Sequence, residues 1–218
     1  MRHLPPFHPF PLFLSLALLA GCKKQLQEPA VTDTAKEYNS NAYPNLSAAA
    51  SSLQIYGVWH AGNDACTWAS VRTVDEFDSK NHWIIDRGNG QPSVNLVVLS
   101  FVNPLKLLNR TNDAATSNGL PKGMTKEIIN YFKSRNIRVM LSIGGITYTQ
   151  DWNSALASNA SLLGDRAARL ADSLGVGIEI DYEENSSPNL TGLQDFITAY
   201  RSRIPYDATG AKHSARLT

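Results

Sequence analysis

The 218-residue sequence is short of several things, and each scarcity removes a class of function. Charge of one sign is missing: 20 Lys and Arg stand against 19 Asp and Glu, with no basic cluster beyond Lys23-Lys24. That argues against nucleic acid as a partner, because phosphate binding needs a concentrated basic face. Long apolar runs are missing too. The run at residues 12–20 is shorter than the roughly 20 apolar residues a membrane-crossing helix needs. No glycine-rich phosphate loop follows any strand-like segment, which weakens a nucleotide-binding reading. There is no internal repeat, and cysteine occurs only at Cys22 and Cys66.

What is present begins with an export pattern. Arg2 and His3 give a positive start, and the apolar run that follows ends in the small residues Ala20 and Gly21. Leu19-Ala20-Gly21-Cys22 resembles the bacterial lipobox. The resemblance implies cleavage before Cys22, lipidation of that cysteine and anchorage of an exported protein to a bacterial cell membrane, on its periplasmic face or at the cell surface. Residues 1–21 are then a lipoprotein signal peptide. With Cys22 lipidated, Cys66 is left alone, no internal disulfide forms, and the fold rests on its core. Nothing near Cys66 reads as an activating base, so it reads as a structural or incidental thiol. Residues 22–52 are polar and rich in small side chains, the composition of a flexible tether.

From residue 53 on, apolar runs alternate with helical periodicity. Strands are expected at 54–59, 94–102, 138–143 and 177–182. Helices are expected at 125–135, at 152–174 with Gly175 as the stop, and around Leu193, Phe196, Ile197 and Tyr200. Residues 61–93 and 103–123 read as long loops. The last residues, 214–218, read as the start of a fifth strand, so the chain is expected to be part of a longer one. This alternation predicts an α/β protein with a parallel sheet. An open doubly wound sheet and part of a (β/α)8 barrel both satisfy it.

The segment richest in chemistry is Gly177-Ile178-Glu179-Ile180-Asp181-Tyr182-Glu183. On a strand its three acids share one face and the apolar residues the other, with alternate positions about 6.6 Å apart. A solvated edge strand also presents acids in this way. Yet three like charges in a row repel, glutamate is a poor strand former, and no Lys or Arg lies in the strand to relieve them. Crowded carboxylates raise at least one pKa and keep a proton available near neutral pH.

Two motifs in order make the reading specific. Ser142-Ile143-Gly144-Gly145 closes one strand, and Val176-Gly177-Ile178-Glu179-Ile180-Asp181-Tyr182-Glu183 forms the next. Together they resemble the Ser-x-Gly-Gly and Asp-Gly-x-Asp-x-Asp-x-Glu signatures of the family 18 glycoside hydrolases, with Val176 and Glu179 replacing the first two acids. Leu99-Ser100-Phe101-Val102 is similar to that family's second strand. The resemblance implies that residues 53–218 form about the first half of a catalytic (β/α)8 TIM barrel. It implies hydrolysis of β-1,4 linkages of N-acetylglucosamine, in chitin or chito-oligosaccharides, by a retaining, substrate-assisted route. Glu183 is then the proton donor, Asp181 orients the substrate acetamide, and Glu179 shares a proton or hydrogen bond with Asp181. Gly144 and Gly145 admit the sugar and Phe101 floors its site. No metal or cofactor is implied, and the protein is expected to be monomeric. The same family includes endo-β-N-acetylglucosaminidases that cut the chitobiose core of N-glycans, and a non-catalytic surface glycan-binding protein is the reading from another class. Trp59, Trp68, Trp83 and Trp152 are candidates either for stacking on sugar or for the core.

Overall fold

The computed structural model describes residues 55–60 and 68–218. Cys22, Cys66, the export segment 1–21 and the tether 22–52 lie outside the described residues. Four strands form one sheet: β1 (Gly57–His60), β2 (Leu96–Val102), β5 (Arg138–Gly144) and β6 (Gly177–Asp181). They pair in the order β1-β2-β5-β6, and every pairing is parallel. Arg216 to Thr218 extend the ladder beyond β6. Ile178 N–H donates to Arg216 O, Thr218 N–H to Ile178 O and Ile180 N–H to Thr218 O, at 2.9, 3.1 and 2.8 Å. Ser214 and Ala215, expected as strand, instead lie in a 3-10 turn, His213–Ala215.

Strands neighbouring in sequence are thus neighbours in the sheet. Right-handed crossovers between such strands put every connecting helix on the same face. The packing agrees. Val97 and Leu99 of β2, Val139, Leu141 and Ile143 of β5 and Ile178 of β6 join one buried cluster with residues from all the helices. The alternate residues Val98, Ser100, Met140, Ser142, Glu179 and Asp181 point to the other face.

Each helix starts where a cap allows it. In α1 (Val74–Ile85), Thr73 Oγ1 accepts from Glu76 N–H at 3.2 Å and Glu76 Oε2 accepts from Thr73 N–H at 2.7 Å, a reciprocal capping box. Phe77, Ile84 and Ile85 are its buried face. This helix corrects the expectation of a loop at 61–93, where the cap was present but apolar periodicity was weak. The second long loop is also structured. Pro104 occupies the first turn of α2 (Pro104–Asn109), capped by Asn103, and β3 (Thr116–Ser117) pairs antiparallel with β4 (Leu120–Pro121). Elements this short leave no period to read.

α3 (Lys126–Lys133) is capped by Thr125 and buries Ile128, Ile129 and Phe132. α4 (Thr149–Leu174) breaks at Asn159, whose side chain accepts from Leu162 N–H at 2.9 Å and so caps the second half. Gly175, left-handed at φ 64°, ends it as expected. α5 (Leu190–Arg203) packs along α4, where Gly164 lets the Phe196 carbonyl come close. No helix among the described residues is long and apolar enough to cross a membrane.

Candidate active site

The face of the sheet away from the helices is layered by its register. Trp59, Val98, Met140 and Gly177 form one level, Ser100, Ser142 and Glu179 the next, and Gly144 with Asp181 the level at the carboxyl ends of the strands. β6 ends at Asp181, so Glu183 stands two residues beyond the strand, at its carboxyl-terminal exit. Glu179 and Asp181 are half-buried and Glu183 is exposed. The structure therefore brings the three expected acids together on one edge of the sheet, though only two of them belong to the ladder.

Burial is the leading reason that the Asp181 carboxyl is pushed up to about 6, followed by the charges of Glu179 and Glu183 and a hydrogen bond with Glu183. Within the row, the charges on either side act on the middle acid. One level down, Glu179 Oε2 and Ser142 Oγ are buried with no hydrogen-bond partner. They are register partners on adjacent strands, an acceptor beside a hydroxyl. Ser100 and Ser142, single polar residues within apolar strands, were legible in the sequence as inward-facing positions but were not singled out as such.

The glycines are needed where the motif places them. Gly144 has φ 125°, and a Cβ there would overlap the Asp181 carbonyl oxygen and Trp152 Nε1. Gly145 has φ 88°, and its N–H donates to Asp181 O at 2.9 Å. A Cβ on Gly145 would lie 3.0 Å from Phe101 Cζ. Both residues therefore serve close approach between β5, β6 and Phe101, and only a residue without a side chain fits. Phe101 sits at a register break between Ser100 and Val102, following a cis Ser100–Phe101 peptide. Its half-buried ring covers Gly145. Ser100 and Phe101 also line a cavity of about 270 Å³ bordered by Trp68, Asn103, Lys106 and Tyr148.

The tryptophans divide. Trp152 is fully buried and donates to Ile143 O at 3.1 Å; Trp68 is buried, stacks on Phe77 and donates to His60 O at 2.9 Å. Both belong to the core. Trp83 is exposed on α1, on the helix-covered side. Trp59, 60% exposed, shares the face of the carboxylates and is the remaining candidate for stacking. Sequence reading missed Asn153, Tyr182 and Glu184, which are joined by hydrogen bonds around Glu183. Polar residues in a helix and a loop carry no pattern that would link them. Among the described residues no group of three or more His, Cys, Asp or Glu is placed to hold a metal ion.

No family model, no curated protein and no solved structure matches the chain.

Proposed function

We propose that the chain carries the catalytic edge of a glycosidase that cleaves N-acetylglucosamine linkages with the help of the substrate's own acetamide. The observation that carries this reading is the carboxylate row. Glu179, Asp181 and Glu183 emerge at the carboxyl end of a parallel strand, away from the helices, with Asp181 holding a proton up to about pH 6. The sequential order of parallel strands supports a finer reading of the fold, because a sheet with helices on one face only curls toward a (β/α)8 barrel. A doubly wound sheet needs a reversal of strand order, and β1-β2-β5-β6 has none. In a barrel the face away from the helices is the interior, and the carboxyl ends of the strands are where barrel enzymes do chemistry.

The steps follow from the positions. Glu183, exposed beyond β6, gives a proton to the departing glycosidic oxygen as the C–O bond breaks. The acetamido carbonyl oxygen attacks the anomeric carbon and forms an oxazolinium ion, so no carboxylate of the protein becomes covalently attached. Asp181 accepts from the acetamido N–H and faces the positive charge that develops. Its proton, held while the site rests, passes along the hydrogen bond to Glu183, which leaves Asp181 ionised and Glu183 charged with the proton to be donated. Glu183 then takes a proton from the water that opens the oxazolinium. Glu179, beneath Asp181, adds negative charge that favours the proton-bearing form of Asp181.

The test is hydrolysis of chitotriose and of an N-glycan by the protein, beside Glu183→Gln. Loss of a general acid lowers the rate on the order of 10² to 10⁴. Turnover of one substrate that collapses in the variant establishes the enzyme and its substrate class. A parent without turnover that still binds either glycan, equally in the variant, makes it a binding protein instead.

A further inference from the structure

Glu183 lies between two residues held by the same side chain. The Tyr182 hydroxyl donates to Asn153 Oδ1 at 2.5 Å, and Asn153 Nδ2 donates to Glu184 Oε2 at 2.9 Å. The proton roles have one consistent assignment. Tyr182 Oη already accepts the Asn189 N–H at 2.9 Å, so its own hydrogen goes to an acceptor, the amide oxygen. Glu184 as a carboxylate only accepts, so it takes the amide N–H. Hydrogen bonds from Ser186 and Asn153 hold the Glu184 carboxyl down to about 2, which keeps it an acceptor across the neutral range.

The other Glu184 oxygen ties the loop. Oε1 accepts from Ser186 N–H at 2.8 Å, Ser186 Oγ at 2.7 Å and Ser187 N–H at 3.3 Å. Asn153 follows Trp152, whose buried indole is anchored to the Ile143 carbonyl at the end of β5. A connection thus runs from the strand that carries Gly144, through α4, to both neighbours of Glu183.

We propose that Asn153 and Glu184 are positioning residues: a two-part clamp that sets the Glu183 carboxyl beside Asp181. This rests on the glycosidase reading above. The need for it is physical. Glu183 stands past the last ladder residue of β6, and its segment from Tyr182 to Asn189 has no regular structure to hold it. A carboxyl on such a segment samples many directions, and misplacement by about 1 Å costs on the order of 10²-fold in rate. Fixing the residue on each side removes most of that freedom while leaving Glu183 itself unencumbered for proton transfer.

The roles of donor and acceptor in the clamp are complementary, so they can be exchanged. Asn153→Asp removes the N–H that Glu184 needs and sets two carboxylates against each other. Adding Glu184→Gln restores the pairing, since the new amide donates to the new carboxylate and its carbonyl still accepts from Ser186. In the protein, Asn153→Asp alone is expected to lower kcat about tenfold or more with KM within about twofold, and Asn153→Asp/Glu184→Gln to return kcat to within about threefold of the parent. Hydrogen exchange of the Ser186, Ser187 and Asn189 amides is expected to quicken about tenfold in the single variant and recover in the double. Parental kcat in Asn153→Asp, or no recovery in the double, overturns the proposal. A parent inactive on both glycans defeats the glycosidase reading instead. The clamp is then judged by exchange alone: unchanged exchange in Asn153→Asp overturns it, and quickened exchange reversed by the double upholds it.

Discussion

Replacing Asp181 by Asn is expected to make this protein more stable at neutral pH while abolishing the proposed hydrolysis. The carboxyl rises from an ordinary 3.8 to about 6 in the folded chain, through burial and through the charges of Glu179 and Glu183. The folded state therefore holds the proton more tightly than the unfolded one. Below about pH 3.8 the group is protonated in both states and costs nothing. As pH rises toward 6 the unfolded chain ionises first, and folding loses stability until both states are ionised. At 1.36 kcal/mol per pH unit the full penalty is about 3 kcal/mol, and partial solvation of the half-buried carboxyl reduces it to about 1–2 kcal/mol. Asn keeps the shape, carries no charge, and its amide still donates to Glu183. Urea unfolding of parent and Asp181→Asn at pH 4, 5, 6 and 7.5 measures the difference. With a slope of about 2–3 kcal/mol/M, the variant's midpoint should lie about 0.5 M higher at pH 7.5, and most of that gain should be gone at pH 4. A variant no more stable than the parent at pH 7.5, or one whose gain is the same at every pH, would show that the acids do not crowd one another. A gain of this kind is what a site that sacrifices stability for chemistry releases when disarmed.

Two further substitutions probe what supports the site. Gly144→Ala, at φ 125° with backbone and indole in the way of a Cβ, is expected to cost about 4 kcal/mol or more, read as lost soluble yield and a reduced far-UV signal. A soluble variant with the parent's urea midpoint would contradict that packing. Thr73→Ala removes one half of the α1 capping box and is expected to cost about 1 kcal/mol, seen as a urea midpoint lower by about 0.3–0.5 M with the carboxylate row untouched.

The sequence by itself determined the parallel α/β character, because β2 and β5 are apolar runs, β6 alternates apolar and acidic residues, helical periodicity separates them, and Gly144-Gly145 ends a strand as Gly175 ends a helix. It also determined which acids lie near one another, since a period of two puts Glu179 and Asp181 on one face whatever the strand pairs with. The short α2 and the β3–β4 hairpin were hidden because an element of two to six residues shows no period, and α1 because its apolar face is narrow. Tertiary structure alone decided three matters. The strand order, and with it the single face that the helices cover, depends on pairings between residues about 40 positions apart. How far the Asp181 carboxyl is pushed up depends on its burial and on the charges of Glu179 and Glu183 beside it. Which side chains steady Glu183 depends on α4 bringing Asn153 beside residues 29 and 31 positions later, a contact made in space that no local pattern encodes.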